Sequence, residues 1–394
     1  MQAVFADLAE GLGYGEVVSP LFEDIGVFTR IGESTEIVGK EMYEFRDRDD
    51  RHLALRPELT ASICRAFAQH RPVVPWKIWY AGPQFRYERP QAGRYRQFTQ
   101  LGAEVLGTDD PHADVEIIGL ARQFYDALGL GQVRLTINSL GDPSCRPAYL
   151  EALTAYLDER EGDLAPQSRE TLSTNPLRVL DSKRDTDQAV IAEAPLMVDH
   201  LTPEPAAHFQ AVSDGLDALG IAYEISPRLV RGLDYYTMTT FEFVADALDT
   251  AQNAVGGGGR YDGLVEALGG PPTPGIGFAL GIERILMACD AEGVFPGPSG
   301  RPDVFVVDLT GGTEALRLTH ELAAAGVRVD RAFDNRSVKA QMRAANRSGA
   351  RLALIVGQEE VAGSEVQLKE LESGEQTRVA TTDLIDHVRA MTAS

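Results

Sequence analysis

Between residues 76 and 97, five positive side chains (Lys77, Arg86, Arg89, Arg94 and Arg96) stand against one acid, Glu88. Guanidinium groups present planar pairs of donors that stay charged at any relevant pH, which suits the oxygens of a phosphate. Strand-forming residues fill 76–87 and 97–106, and Pro90 and Gly93 lie in the polar stretch between them. The spacing therefore predicts an antiparallel hairpin that carries the arginines. Charge alone also suits a solvated ribbon with cross-strand ion pairs.

Two further constellations can do chemistry. Residues 229–236 read Leu-Val-Arg-Gly-Leu-Asp-Tyr-Tyr, and residues 255–263 read Val-Gly-Gly-Gly-Gly-Arg-Tyr-Asp-Gly. An arginine and an acid among aromatics can bind a small zwitterion, and consecutive glycines let a backbone approach a ligand closely or form a flexible turn. The run matches neither Gly-x-x-x-x-Gly-Lys-Ser/Thr nor Gly-x-Gly-x-x-Gly between strand and helix, which argues against a P-loop and a Rossmann site. Residues 275–284, Gly-Ile-Gly-Phe-Ala-Leu-Gly-Ile-Glu-Arg, run a small-residue strand into a helix start. Arginine there opposes the helix dipole, so Arg284 needs an anionic partner, either Glu283 or another group.

The elements that must position these residues follow from periodicity. Residues 3–12 predict a helix, and 17–22, 42–45 and 53–55 predict strands, with Pro20 interrupting the first. A helix is expected from Pro57, with Glu58 favourable in its first turn. Residues 110–128 form an amphipathic helix pattern, 133–138 a strand and 143–157 a helix, and 159–202 turn polar and irregular. Strand signals return at 229–231, 239–244 and 275–280, followed by a helix over 282–289. After a Gly- and Pro-rich stretch at 293–302, short strands at 304–307, 326–329 and 352–356 alternate with helices over 313–325 and 337–347, the pattern of a separate α/β domain. The expected organisation is α+β, with an antiparallel-sheet domain over 1–292 containing a helical insertion over 142–199. A linker follows over 293–302, then a second domain over 303–394.

The chain has 394 residues, enough for two or three domains, and a net charge of −22 that argues against bulk attraction to nucleic acid or anionic membrane. Cys64, Cys145 and Cys289 are widely spaced, so no disulfide framework or zinc knuckle is encoded and a reducing compartment is expected. No signal-like N-terminus or membrane span is present in the pattern, so the expected location is the cytoplasm. The acidic balance is uneven. Residues 331–351 hold six cations (Arg331, Arg336, Lys339, Arg343, Arg347 and Arg351) and one acid, Asp334. The spacing from Arg336 onward predicts a stripe along one side of a helix, read either as a solvated face or as a nucleic-acid contact.

In this order the pieces resemble the histidyl-tRNA synthetase family of class II aminoacyl-tRNA synthetases over nearly the whole chain. Residues 13–24 resemble class II motif 1, 82–107 motif 2 and 275–286 motif 3. Residues 231–236 and 258–262 are similar to the family's two histidine-specific signatures. The resemblance implies a class II catalytic domain and a C-terminal anticodon-binding domain, assembled as a homodimer. It also implies that L-histidine reacts with ATP, assisted by Mg2+, to give histidyl-adenylate and diphosphate, and is then transferred to tRNA(His). No protein metal ligands are implied. By the same resemblance Arg86 and Arg231 are the catalytic cations at the α-phosphate, and Glu88, Arg94, Phe98 and Arg284 bind ATP. Glu58, Thr60 and Gln100 take the histidine ammonium group, Arg231 its carboxylate, and Glu104, Tyr236 and Tyr261 its imidazole. Arg89 and Gln91 meet the acceptor end of the tRNA, and Arg336, Lys339 and Arg343 its anticodon region.

Three positions depart from the family pattern. The chain begins within the first helix, Leu59 stands where glycine is common, and Ala92 replaces a frequent lysine. Leu59 resembles the regulatory subunit of ATP phosphoribosyltransferase, a paralogue that binds histidine without charging tRNA, and this is the competing reading. Residues 231–236, Arg284 and the domain after Pro302 argue against it.

Overall fold

The computed structural model describes residues 1–30, 36–229, 235–248, 253–297, 300–334 and 336–392. It divides into two compact units, Met1–Pro296 and Gly297–Ser394.

In the first unit the strands are β1 (Gly15–Glu16), β2 (Phe22–Asp24), β3 (Tyr43–Arg46), β4 (His52–Leu55), β5 (Trp76–Phe85), β6 (Gln97–Leu106), β7 (Val133–Ser139), β8 (Glu224–Ile225), β9 (Thr237–Ala245), β10 (Ala254–Arg260) and β11 (Gly275–Gly281). One sheet runs β1-β5-β6-β11-β10-β9-β7-β8, antiparallel except where β1 joins β5 and β8 joins β7. A second, small sheet runs β2-β4-β3. Successive side chains on a strand point to opposite faces. Trp79 on β5 thus packs with Phe5, Phe124, Phe241 and Phe278, while Ile78 and Tyr80 pack with Phe67, Tyr261 and Leu264. The first group lies under the helices Gln2–Gly11 and Pro111–Ala127. The latter starts with Asp110, whose side chain accepts from the His112 N–H at 2.9 Å, and with proline in its first turn. Residues 146–192 form helices around Tyr149, Leu153, Leu157 and Val190, a separate small core.

Two sequence expectations need correction. Residues 17–22 are not one strand: β1 pairs with β5 and β2 with β4, in different sheets, and the chain around Pro20 crosses between them. The helix expected from Pro57 begins at Thr60. Glu58 therefore lies outside the first turn, and its Oε1 accepts the Ala61 N–H at 2.9 Å.

The second unit contains β12 (Val304–Asp308), β13 (Val329–Arg331), β14 (Leu352–Val356), β15 (Glu365–Glu370) and β16 (Gln376–Ala380), in the order β13-β12-β14-β15-β16. The first three are parallel, as the alternation of strands and helices predicts, and β15 and β16 add an antiparallel edge.

Candidate active site

The centre of the large sheet, where β6, β11 and β10 lie side by side, is built from glycines. A methyl group on Gly277 would stand 1.5 Å from Glu104 Oε2, and one on Gly258 would stand 1.9 Å from the Gly277 carbonyl oxygen. The four-glycine run is thus neither a turn nor a loop but the middle of β10, where neighbouring backbone presses on Gly258 and Gly259 and the side chains of Leu280 and Tyr125 press on Gly256.

The room freed beside Gly277 is taken by Glu104, fully buried on β6. Its carboxylate accepts from Thr60 Oγ1 at 2.8 Å, Tyr80 Oη at 3.1 Å and Tyr261 Oη at 2.6 Å. Burial pushes the Glu104 carboxyl up to about 8 against the pull of these hydroxyls, and nearby Glu58 adds to the rise. Burial, with the Glu104 charge beside them, also raises Tyr80 and Tyr261, which stay protonated donors.

Above this group opens a cavity of about 360 Å3. At one end lie Glu58, Thr60, Gln100, Tyr235, Tyr236 and Tyr261. Glu58 Oε2 and Gln100 Oε1 are buried acceptors without a donor among the described residues. Burial raises the Glu58 carboxyl, opposed by the Ala61 and Thr60 N–H groups and by Arg86. Two such unsatisfied acceptors are what an ammonium group would satisfy. The Tyr235 ring lies tilted 4.7 Å from Tyr236 and meets Tyr261 edge to face at 5.8 Å, closing an aromatic wall.

The other end is cationic: Arg86, Arg94 and Arg284 line it with Glu88 and Phe98. Arg86 Nε donates to the Pro57 carbonyl at 2.9 Å, and its guanidinium sits 5.1 Å from the Phe98 ring centre. Arg284 donates to the carbonyls of Gly93 at 2.9 Å and Ala254 at 3.0 Å rather than to Glu283, whose Oε1 accepts the Thr99 N–H at 2.8 Å. Burial lowers the Arg284 pKa, and the charges of Arg94 and Arg86 lower it further against Glu88, which pairs with Arg94 at 3.2 Å, and Glu242. Three arginines at one end of a cavity, one of them paired with an acid, form a site suited to an anion.

Arg56 supports both ends. Buried at 3% exposure, it donates to the carbonyls of Ser19 (2.9 Å), Pro20 (3.2 Å) and Pro83 (2.9 Å) and to Ser19 Oγ (2.9 Å). Its own backbone carbonyl accepts from Phe85 N–H. It thereby ties the segment leading to Glu58 and Thr60 to the end of β5, one residue before Arg86.

Ten of the residues singled out from sequence thus share this cavity, and Glu104 lies directly beneath it. Arg231 lies outside the described residues. Arg89 and Gln91 are exposed in the turn of the hairpin, where Gln91 and Arg94 exchange backbone hydrogen bonds. The C-terminal basic stripe needs correction: the helix is Val338–Ser348, so Lys339, Arg343 and Arg347 lie on it. Arg336 precedes it and pairs with Asp334 at 3.1 Å, and Arg351 follows it, 4.0 Å from Glu370. Sequence reasoning missed Tyr80 and Glu242, and considered Glu283 only as a partner for Arg284. Only the alternation along β5, which turns Tyr80 toward Glu104, was a usable signal.

The family model described as Histidyl-tRNA synthetase matches residues 1–285, and that described as Anticodon binding domain matches residues 303–391. A histidine–tRNA ligase of Rhodococcus erythropolis is 50% identical over 380 residues, covering 95% of this chain and 89% of the relative. One of Mycobacterium marinum is 50% identical over 389 residues, covering 96% and 91%. The crystal structure of apo histidyl-tRNA synthetase of S. aureus superposes with a TM-score of 0.80 at 34% identity, covering 98% of this chain and 94% of that one. A glycine-floored antiparallel sheet with an acidic and a cationic pocket, followed by a unit that matches an anticodon-binding domain, defines an aminoacyl-tRNA synthetase. Within that class, the chain belongs to the histidyl-tRNA synthetase family.

Proposed function

We propose that the protein is a class II histidine–tRNA ligase, which joins L-histidine to ATP as histidyl-adenylate, expels diphosphate and transfers the histidyl group to the 3′ end of tRNA(His). The observation that carries this is the single cavity with buried acceptors at one end and three arginines at the other. A histidine placed with its ammonium group on Glu58, Thr60 and Gln100 and its imidazole on Glu104, Tyr236 and Tyr261 turns its carboxylate toward the arginines. The carboxylate is then its own nucleophile, and the protein contributes orientation and charge.

In this reading Arg86 leaves the face of Phe98 for the α-phosphate, and the adenine takes its place between Phe98 and Arg284. Glu88 lies near the adenine edge, Arg94 contacts the phosphates, and Arg231 faces both the α-phosphate and the histidine carboxylate. Magnesium suits the remaining triphosphate charge, since it binds through one or two carboxylates and substrate oxygens. Glu242 and Glu283 line the cavity, and Glu283 Oε2 is a buried oxygen without a hydrogen-bond donor among the described residues. They would hold the ion, which supplies charge neutralisation to the phosphates. Arg231→Ala is expected to cut histidine-dependent exchange of pyrophosphate into ATP by about 100-fold or more, the loss of one preorganised cation. Unchanged exchange would remove Arg231 from the mechanism.

Arg89 and Gln91 are proposed for the acceptor end of the tRNA, and Arg336, Lys339 and Arg343 for its anticodon region. The regulatory-subunit reading is set aside by the 50% identity to curated ligases over nearly the whole chain and by the C-terminal family match. Phe22 and Phe45 of the small sheet are exposed with their rings 6.1 Å apart, and Val18 and Leu21 in the preceding segment are exposed too, which supports a homodimer. Sedimentation of active protein is expected to give the mass of two chains; an active monomer would overturn this. Three free, buried cysteines suit a reducing cytoplasm, and no helix among the described residues is long and apolar enough to cross a membrane. Exchange followed by charging of tRNA(His) tests the whole reading, and exchange without charging would point to a paralogue.

A further inference from the structure

In the second unit, β12 is flanked by β13 on one side and β14 on the other, and all three are parallel. Val304 and Val306 pack with Leu318 and Leu322 of the helix Thr313–Ala324, whereas Phe305 and Val307 pack with Ala345 of Val338–Ser348. The two crossovers therefore cover opposite faces, and the strand order reverses at the carboxyl end of β12. In open α/β sheets this is where ligands bind.

Phe333 sits two residues beyond β13 at that end of the sheet. It is 59% exposed, and the Arg331 guanidinium lies 4.4 Å from its ring centre. Its loop is held from below by Gln341, 1% exposed. The Gln341 amide accepts the Asp308 N–H and donates to the carbonyls of Asp308 and Arg336, each at 2.7 Å. Lys339, Arg343 and Arg347 are exposed nearby, with no carboxylate at salt-bridge distance among the described residues. An aromatic ring backed by a guanidinium on a strongly cationic face matches the way unpaired nucleobases are bound, by stacking and cation–π attraction beside a phosphate track.

We propose that Phe333 is a stacking platform for one unpaired base of the bound tRNA, backed by Arg331 and held in place by Gln341. This rests on the tRNA reading above and adds to it a base contact distinct from the phosphate contacts of Lys339 and Arg343. The test uses the full chain and a tRNA(His) transcript, with pyrophosphate exchange, which uses no tRNA, reporting that the active site is intact and thermal unfolding reporting that the second unit of each variant is folded. Phe333→Ala should raise the tRNA KM roughly 5- to 100-fold and leave the slope of log affinity against log salt as in the parent, because no phosphate contact is lost. Lys339→Ala should lower that slope by about 1. Phe333→Trp should recover most of the affinity, and its indole emission should be quenched when tRNA binds. An unaltered tRNA KM in Phe333→Ala, or a Trp variant as weak as the Ala variant, would overturn the platform. If Lys339→Ala and Arg343→Ala also bind tRNA as the parent does, the RNA reading of the unit falls with it.

Discussion

Glu104→Gln should lose at least about 100-fold in kcat/KM for histidine in pyrophosphate exchange, with the KM for ATP little changed. The substitution keeps the shape and removes one acceptor. In the ionised form that accepts from a bound imidazole, Glu104 takes hydroxyls from Thr60, Tyr80 and Tyr261, and an amide NH2 put in place of one oxygen faces donors with a donor. A pocket that fixes a polar ligand through buried hydrogen bonds loses discrimination steeply when one of them is mismatched. Steady-state exchange at varied histidine and varied ATP separates the two effects, and equal damage to both KM values would contradict the assignment. The same variant tests the electrostatics. Burial holds Glu104 near 8, above its ordinary 4.5, so between these values the folded chain carries a proton that the unfolded chain has lost. Stability owed to this group is therefore full below about pH 4.5 and falls as pH rises toward 8, by at most about 5 kcal/mol. Glutamine does not titrate. The Tm of the unliganded variant minus that of the parent should thus grow from pH 5 to pH 8, and a constant difference would show that Glu104 titrates normally.

Gly277→Ala should be at least as damaging. The added methyl would lie 1.5 Å from Glu104 Oε2 and 2.7 Å from the Ala103 carbonyl oxygen. The second contact is backbone, and the first is a carboxylate fixed by three hydroxyls, so the strain can relax only by expelling Glu104 from its position. Histidine-dependent exchange should fall by more than about 100-fold, and stability by about 2–3 kcal/mol, as for overpacking a filled core. Gly263→Ala is the matched comparison, since nothing lies within 4 Å of the added atom there. Thermal unfolding of both variants, read beside exchange, checks this; full exchange in Gly277→Ala would mean that the carboxylate does not need its present position.

Much of this site was legible because its signals are local. The arginine hairpin shows itself through strand-forming runs on either side of a Pro- and Gly-containing turn, and the strand into helix at 275–292 through a switch from small residues to helical spacing. What was not legible depends on partners far away in sequence. Gly256 to Gly259 left a close backbone approach to a ligand and a flexible turn both open, and suggested no strand because glycine lacks strand propensity; they form β10 because β9 and β11 close in on either side. Residues 17–22 read as one strand because apolar spacing does not reveal that two sheets compete for its ends. The cationic stripe overran its helix at both ends: spacing alone extends past Ser337, the N-cap, and past Gly349, whose φ of 71° ends it. Arg56 gave no signal, because a buried guanidinium satisfied by carbonyls looks like any other arginine until the chain is folded around it.

The central claim is that one cavity selects histidine by Glu104 and its hydroxyls and delivers the carboxylate to the α-phosphate of ATP. The direct measurement is exchange of pyrophosphate into ATP with each of the twenty amino acids supplied in turn. Exchange with histidine and with no other is the predicted result. Comparable exchange with another amino acid, or none with histidine, would contradict it.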